Sequence, residues 1–231
     1  MKFTYLLVDL GTILVPFIFS FHPRLRFDKT LKSYWLANGI SALVFIIWDA
    51  AFTAKGIWGF NDDYILGWRI NGLPIEEILF FICIPYACVF TYHCISKLYV
   101  IQWKPWLINA ILIFISAGLL ITGFTFIDRA YPASAFVSTG ILLLLLRFLF
   151  KVVWLDRIFG IYSLLLVPFF IVNGILTGTG LESPVVWYNN DENLGIRMGT
   201  IPFEDIFYGF ELIILTLFFY EWFRSGKITG E

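Results

Sequence analysis

The sequence predicts an all-α membrane protein with seven transmembrane helices, arranged as two parallel three-helix repeats joined by a linker helix (3+1+3). Three observations support this prediction: an apolar composition, seven apolar stretches of spanning length, and an internal repeat. Of the 231 residues, 59% are hydrophobic and 14% are charged, and the mean hydropathy is +0.82. Soluble domains carry about 25% charged residues, so this chain cannot cover a water-facing surface.

The apolar stretches locate the predicted helices. A bilayer core requires about 20 predominantly apolar residues per spanning helix. The stretches that qualify are residues 3–21, 33–54, 74–96, 106–127, 132–150, 157–178 and 201–223. The first stretch contains Asp9 and Pro16 and lacks a small-residue cleavage site, so we expect a spanning helix rather than a cleavable signal peptide.

The distribution of Lys and Arg predicts the orientation of the helices. The loops after spans 1, 3 and 5 and the C-terminal tail hold 11 of the 16 basic residues. These are Arg24, Arg26, Lys29, Lys32, Lys97, Lys104, Arg147, Lys151, Arg157, Arg224 and Lys227. Because basic residues concentrate on the cytoplasmic side, we expect a multi-pass protein of the cell (plasma or inner) membrane with the N-terminus outside and the C-terminus cytoplasmic. The long loops 55–73 and 179–200 then lie outside.

Composition and motifs exclude several functional classes. With 16 basic and 17 acidic residues the net charge is −1, so the chain has no basic field to hold nucleic acid. Cys83, Cys88 and Cys94 lie in one apolar run without metal-ligand spacing, which indicates packing residues. No dinucleotide-binding glycine motif follows a strand, and no aspartate-rich diphosphate motif occurs. We therefore expect no metal and no cofactor.

Two loops and the helices that follow them are copies of each other. Residues 60–80 (FNDDYILGWRINGLPIEEILF) align without a gap with residues 188–208 (YNNDENLGIRMGTIPFEDIFY), at a shift of 128 positions and with eight of 21 positions identical. The identical pairs are Asn61/Asn189, Asp63/Asp191, Leu66/Leu194, Gly67/Gly195, Arg69/Arg197, Pro74/Pro202, Glu76/Glu204 and Ile78/Ile206. Most of these residues are polar, glycine or proline, so the match is not a by-product of apolar composition. The copies predict an internal duplication.

The duplication predicts the domain organisation. Each unit has three spans, so a direct fusion would invert the second copy, and one additional span restores its orientation. We expect a first repeat at residues 1–104, a linker helix at 105–128 and a second repeat at 129–231. Parallel repeats of this kind place equivalent motifs on the same side of the membrane, where they can converge.

The duplicated motif carries the candidate catalytic residues. Pro74 and Pro202 are expected at the first helical position, where the missing N–H costs nothing. Acidic pairs follow at Glu76–Glu77 and Glu204–Asp205. Acids near a helix N-terminus can simply complement the helix dipole. A pair that is duplicated together with its proline and upstream polar residues favours a function, because ionisable groups at membrane depth are costly.

The two acids of a pair are expected to have different roles. Adjacent residues on a helix point in different directions, so one acid can face Arg69 and stay ionised while the other faces an apolar cavity and stays protonated. A protonated carboxylic acid in such a cavity is a proton donor. The residues predicted to support the motif are Asn61, Arg69, Pro74, Asn189, Arg197 and Pro202.

Further acidic residues lie inside apolar stretches. Asp49, near the outer end of span 2, is a candidate catalytic residue, and Asn173 in span 6 is its candidate counterpart. Glu211 is either a pore-facing acid or a partner of Arg147. Asp9 and Arg129 are interpreted as surface groups that reach the membrane interface. Aromatic residues one turn from the acidic pairs are candidates to stabilise a cation, namely Phe80, Phe81, Phe207 and Tyr208.

The residues W-G-F-N-x-x-Y-x-x-G at 58–67 and L-P-I-E-E-x-L-F-F at 73–81, repeated in part at 187–208, resemble the membrane-integral lycopene cyclases. In fungi this cyclase is joined to a phytoene synthase. The resemblance covers essentially the whole chain, with P-x-E-(E/D) at 74–77 and 202–205 as its most specific element. It implies an intramolecular lyase or isomerase that converts the linear ends of lycopene to rings, giving β-carotene by way of a monocyclic intermediate. The implied partners are a C40 carotenoid, the lipid bilayer and other carotenoid-pathway enzymes.

The candidate residues suit this chemistry. Cyclisation is a redox-neutral isomerisation that needs a neutral carboxylic acid, a carboxylate, aromatic walls and the exclusion of water. The alternative interpretation is a small-solute transporter, since sugar facilitators also have a 3+1+3 parallel repeat. The predicted spans lack the polar midplane of such a transporter. A non-catalytic scaffold subunit would leave the acids unexplained. The type of ring, the number of ends cyclised, the repeat that supplies the acid and the oligomeric state stay open.

Overall fold

A computed structural model describes residues 1–99 and 103–226. Within these residues the chain forms seven α-helices. They are α1 (Thr4–Ser20), α2 (Leu31–Ala54), α3 (Ile75–Leu98), α4 (Pro105–Thr125), α5 (Ala130–Leu144), α6 (Leu155–Leu176) and α7 (Glu204–Ser225). A 3₁₀ turn (Phe27–Thr30) precedes α2, and α5 continues as a π-helical turn (Leu145–Leu149). The prediction of a mainly helical protein is confirmed.

Six of these helices are long and apolar enough to cross a membrane, namely α2 to α7. The first helix, α1, is apolar but has 17 residues. This length is at the lower end of the range of about 17–25 residues for spanning helices. Each helix lies at the position of a predicted span, because the apolar runs that bury in lipid also satisfy their backbone hydrogen bonds internally.

Short strands occupy the two long loops, for which the sequence predicts no helix. Strand β1 (Trp58–Phe60) pairs antiparallel with β4 (Val186–Tyr188), and the Trp187 ring lies against Gly59. A Cβ atom at Gly59 would overlap that ring, so the close approach requires glycine. This pairing joins the two long loops to each other.

Each long loop ends in a two-stranded hairpin directly before a helix. The first hairpin pairs β2 (Arg69–Ile70) with β3 (Leu73–Pro74), and the second pairs β5 (Arg197–Met198) with β6 (Ile201–Pro202). The turn of the first hairpin is Asn71-Gly72, and both residues have positive φ. This is the combination that a type I′ turn requires.

The expected position of the two prolines is wrong by one or two residues. Pro74 is the extended residue just before α3, and Pro202 ends strand β6 two residues before α7. In both hairpins the proline lies opposite the arginine of the motif, Arg69 or Arg197. A proline φ near −65° suits this extended conformation as well as the start of a helix.

The helices pack so that the start of α7 lies near α2 and α3. The closest helix pairs are α4 with α5, α2 with α7, and α1 with α3, and α5 also packs on α7. The largest fully buried side chains are mainly aromatic and include Tyr5, Tyr34, Tyr86 and Tyr131. Tyrosine hydroxyls in an apolar core need hydrogen-bond partners, so their positions identify buried polar groups.

Candidate active site

The first acid of each motif binds the backbone of its own loop. Glu76 Oε1 accepts a hydrogen bond from the backbone N–H of Leu66 at 2.6 Å, and Glu204 Oε1 accepts one from Leu194 N–H at 2.5 Å. Both glutamates are completely buried. The second oxygen of each, Oε2, has no hydrogen-bond partner within the described chain. Each of these acids therefore fixes its long loop to the start of its helix.

The arginines of the motif bind their own hairpins. Arg69 donates to the carbonyl oxygen of Gly72 at 3.0 Å and to the carboxylate of Asp62 at 2.7 Å. Arg197 makes the equivalent contacts with the carbonyl of Thr200 at 2.7 Å and with Asn190 Oδ1 at 2.9 Å. In the described chain the guanidinium of Arg69 pairs with Asp62, and no hydrogen bond or ion pair joins it to Glu76 or Glu77.

The two asparagines of the motif shape the loops. The side-chain oxygen of Asn61 accepts the N–H of Asp63 at 3.0 Å, and that of Asn189 accepts the N–H of Asp191 at 3.1 Å. These contacts form Asx turns, a conformation that asparagine favours. Asn61 Nδ2 also donates to Ser183 Oγ at 2.9 Å, which links the two long loops.

The second acid of each motif lines a large apolar cavity. The cavity has a volume of about 820 Å³ and is bordered mainly by α1, α3, α6, α7 and the paired strands β1 and β4. Three buried acidic side chains from three helices line it: Asp49 from α2, Glu77 from α3 and Asp205 from α7. The rest of the described lining is predominantly apolar and aromatic. Glu76 and Glu204 are not among the described residues that line it.

Each cavity acid is held by a donor from another element. The Tyr5 hydroxyl donates to Glu77 Oε2 at 2.5 Å, and the indole N–H of Trp58 donates to Asp49 Oδ1. Asp49 Oδ2 has no hydrogen-bond partner within the described chain. The donors fix the direction of each carboxyl group while leaving Asp49 with an unused oxygen.

Asp205 accepts three hydrogen bonds. The Tyr131 hydroxyl donates to Oδ1 at 2.6 Å, and the Tyr188 hydroxyl and Asn173 Nδ2 approach Oδ2 at 3.0 and 3.3 Å. Tyr188 lies in strand β4, and burial of its hydroxyl beside Asp205 raises the pKa of Tyr188 well above its ordinary value. This tyrosine therefore stays protonated and donates to Asp205. Asn173 of α6 is therefore in contact with Asp205, the second acid of the second motif.

Aromatic rings surround the carboxyl groups. Trp58 and Tyr131 pack edge to face with ring centroids 5.1 Å apart, and Tyr131 stacks on Tyr188 at 6.1 Å. Tyr208 lies 6.0 Å from Trp58, and it lines the cavity, as Phe80 does. These rings present π faces and edges close to the acids, an arrangement that can stabilise a cation.

Two of the predicted cation-stabilising rings lie elsewhere. Phe81 packs against Phe45 with centroids 6.1 Å apart, and Phe207 packs against Phe136 at 5.3 Å. Neither is among the described residues that line the cavity. Their helical position turns them towards neighbouring helices, since a residue one place along a helix points in a different direction.

Asp9 does not lie where the sequence predicts, and Arg129 lies at the start of α5 beside the second long loop. Asp9 is completely buried in α1, and neither carboxyl oxygen has a hydrogen-bond partner within the described chain, so the interpretation as a surface group is wrong. Arg129 is half-buried and donates to the carbonyl of Asn193 at 2.6 Å. Its guanidinium also lies over the Phe126 ring at 5.6 Å. Arg129 therefore holds the second loop to the start of α5.

Glu211 is buried between α7 and α5, not paired with Arg147. It accepts hydrogen bonds from Ser138 at 2.6 Å and Thr139 at 3.1 Å, and it is not among the described residues that line the cavity. Arg147 instead forms an ion pair with Asp156 at 2.8 Å. The predicted partnership of Glu211 with Arg147 is therefore wrong. The π-helical turn directs Arg147 towards the start of α6.

The sequence prediction missed the donors that hold the cavity acids. Tyr5 and Tyr131 occupy similar places near the start of α1 and α5, but they are 126 positions apart. The motif alignment at a shift of 128 could not pair them. Trp58 and Tyr188 were visible as part of the motif region, yet nothing in the sequence indicated that their polar atoms reach acids.

The fold and the site define a multi-pass membrane protein whose buried acids and aromatic rings surround one apolar cavity. Comparison with known families gives a match to lycopene cyclase over residues 2–95 and 128–223. The chain belongs to the lycopene cyclase family. No solved structure matches the chain.

Three curated relatives are similar to parts of the chain, and each is a bifunctional lycopene cyclase/phytoene synthase. The protein of Podospora anserina is 36% identical over 58 residues, which is 25% of this chain and 10% of the relative. The protein of Leptosphaeria maculans is 29% identical over 100 residues, which is 42% of this chain and 17% of the relative. The protein of Phaffia rhodozyma is 46% identical over 41 residues, which is 17% of this chain and 6% of the relative. The aligned segments therefore span less than a fifth of each relative. None of these relatives supports the transporter interpretation.

Proposed function

We propose that this protein cyclises the linear ends of lycopene, giving β-carotene by way of a monocyclic intermediate. The observation that carries this proposal is the convergence of Asp49, Glu77 and Asp205 on one apolar, aromatic cavity, in a chain of the lycopene cyclase family. A C40 hydrocarbon dissolves in the bilayer, and its apolar surface matches a cavity with few polar groups. The reaction is an intramolecular, redox-neutral isomerisation.

The chemistry requires one proton donor and one proton acceptor. A carboxylic acid protonates the terminal double bond, the neighbouring double bond attacks the resulting tertiary cation and closes the ring, and a carboxylate removes a ring proton. The proton count is unchanged, so the product is an isomer of the substrate. The ring proton that is removed decides between a β- and an ε-ring. Acid–base catalysis of this kind contributes about 10²–10⁴-fold.

The hydrogen bonds suggest how the roles are divided. Asp205 accepts hydrogen bonds on both oxygens, which suits a carboxylate that acts as the base. Asp49 Oδ2 has no hydrogen-bond partner within the described chain, which suits a carboxylic acid with its proton on that oxygen. Glu77 lines the same cavity, and the Tyr5 hydroxyl donates to its Oε2 atom but not to its Oε1 atom. We assign the donor role to the Asp49–Glu77 pair and the acceptor role to Asp205.

Aromatic rings and the paired strands assist the reaction. Phe80, Tyr208 and Trp58 line the cavity and can stabilise the cationic intermediate. Phe60 and Val186, in the paired strands β1 and β4, also line it, so this sheet covers the acids on the side of the long loops. Exclusion of water protects the cation from hydration and strengthens electrostatic interactions inside the cavity.

A pigment assay tests the function. Expressed in cells that make lycopene, the protein should turn red cells orange-yellow, and chromatography of the extract should show mono- and bicyclic carotenoids. The matched control is the Glu77→Gln/Asp205→Asn double variant at equal membrane abundance, which should leave the cells red. Red cells with abundant wild-type protein would contradict the proposal, and the transporter interpretation predicts that result.

We also propose that the N-terminus lies outside and the C-terminus in the cytoplasm of the cell membrane. The excess of Lys and Arg in the loops after the first, third and fifth spans supports this orientation, although Lys227 lies outside the described residues. A reporter that fluoresces only in the cytoplasm should be bright when fused after Glu231 and dark when inserted near Asn190. The opposite pattern would invert the topology and place both motifs on the cytoplasmic side.

We propose further that the chain is a 3+1+3 duplication with repeats at residues 1–104 and 129–231 and a linker helix at 105–128. The equivalent hydrogen bonds of Glu76 and Glu204 to their loops support this organisation. Co-expressed chains 1–104 and 129–231 should together form cyclic carotenoids, because helices in membranes associate through packing and polar contacts.

Neither half should be active alone, since Glu77 and Asp205 lie in different halves. Cyclic product from a single half would contradict the two-motif site. If the co-expressed pair is inactive, the same split with the linker helix kept on the first half decides whether α4 is needed for packing on α5. Inactivity of that pair too would contradict independent folding of the halves.

A further inference from the structure

The cavity has an opening on the exposed apolar surface of the helix bundle. Leu7 in α1 and Ile171 in α6 both line the cavity, yet each is 61% exposed. Gly11 in α1 and Pro168 in α6 also line it and are exposed. A side chain that lines a cavity and faces outward marks the border of an opening. The border here is formed by two helices, α1 and α6.

The packing of the two helices explains the opening. The α1 helix packs extensively along α3 but touches α6 over a short stretch only. Gly11 lies at the border, and a Cβ atom added there would meet no other atom within 4 Å. A side chain introduced at this position would therefore project into open space at the border of the opening. Both helices are apolar, so in a bilayer this gap would face the hydrocarbon core.

The shape of the cavity indicates which molecule fits. Lining residues on α3 extend from Glu77 to Thr91, a distance along the helix of about 21 Å at 1.5 Å per residue. The carboxyl groups of the described lining lie at one end, because Glu77 and Asp205 are in the first turns of their helices and Asp49 is near the end of α2. A slender, apolar molecule with its reacting group at a terminus matches a cavity that is long, apolar and acidic at one end.

We propose that the gap between α1 and α6 is a lateral passage by which a linear C40 polyene moves from the bilayer into the cavity, one end first. This inference rests on the proposed function. The reacting end lies at the acids, and the remainder of the polyene lies along the cavity and the gap. Since the acids occupy one end of the cavity, the two ends of the polyene react in turn, and the molecule must leave through the gap and return reversed.

Photocrosslinking tests the passage without depending on catalysis. A benzophenone side chain introduced at Gly11 should form an adduct of polyene mass when the protein is irradiated in lycopene-containing membranes. The matched control is the same side chain at Gly39, an exposed helical glycine of α2 that also has open space around it and does not line the cavity. A second probe at Ile171 should label in the same way as the probe at Gly11.

Equal labelling at Gly11 and Gly39, or adducts with lipid alone, would overturn the passage. This readout needs no turnover, so a protein that binds the polyene without cyclising it would contradict the proposed function and still support the passage. In the active protein, Gly11→Trp should slow the formation of both the first and the second ring about tenfold or more, because the indole fills the gap. Gly39→Trp should change the rate less than about twofold. An unchanged rate in a folded Gly11→Trp variant would also overturn the passage.

Discussion

Replacing Glu77 with Gln, or Asp205 with Asn, should lower the rate of ring formation by about 10²–10⁴-fold, the usual contribution of a general acid or base. The amides keep the size of the carboxyl groups, and in either variant the amide oxygen can still accept a hydrogen bond from the neighbouring tyrosine. The amides cannot supply or remove a proton at the substrate. The measurement is the rate of formation of cyclic carotenoid per unit of membrane-inserted protein.

Glu211→Gln is the matched control for this prediction. Glu211 is also a buried acid of α7, but it binds Ser138 and Thr139, away from the cavity. Its replacement should leave the rate within about threefold of wild type, because Glu211 makes hydrogen bonds to Ser138 and Thr139 and transfers no proton to the substrate. If Asp205→Asn cyclised lycopene as fast as Glu211→Gln does, Asp205 could not be the base. The same comparison applies to Glu77.

Replacing Glu204 with Ala should destabilise the protein and abolish most activity, whereas Glu204→Gln should keep both. Alanine leaves the partly buried N–H of Leu194 without its acceptor, and an unsatisfied donor costs up to about 1–3 kcal/mol when it is buried. The amide oxygen of Gln can still accept that hydrogen bond. Thermal unfolding in detergent and the rate of cyclisation measure the two effects. The same contrast is expected at Glu76: Glu76→Ala should destabilise the protein and Glu76→Gln should not, because Glu76 accepts the equivalent hydrogen bond from Leu66 N–H.

This second prediction separates two roles for the first acid of each motif. The sequence alone favours Glu76 and Glu204 as proton-transferring groups, in which case Gln would be as inactive as Ala. The contacts in the structure favour positioning residues that act through the loops. A Glu204→Gln protein that is stable but has lost activity a hundredfold would contradict the positioning role and restore Glu204 as a catalytic residue.

The helices were predictable because their signal is local. Among the described residues six helices are long and apolar enough to cross a bilayer, and a chain in lipid must satisfy its backbone hydrogen bonds within the helix. The strands were less accessible, since a two-residue strand has too few positions to show a period. Asn71-Gly72 is the exception, because this dipeptide is a strong hairpin signal between apolar residues. The pairing of β1 with β4 joins residues more than 120 positions apart and has no local signal.

The sequence by itself determined the membrane class, the position of the helices, the duplicated P-x-E-(E/D) motif and the family to which the chain belongs. Only the tertiary structure decided which acid of each pair faces the cavity. Neighbouring residues on a helix point roughly 100° apart, so both choices are equal in the sequence. The choice is made by tyrosines of other helices: Tyr5 donates to Glu77, 72 residues away along the chain, and Tyr131 donates to Asp205, 74 residues away. Contacts at that distance along the chain arise from packing alone.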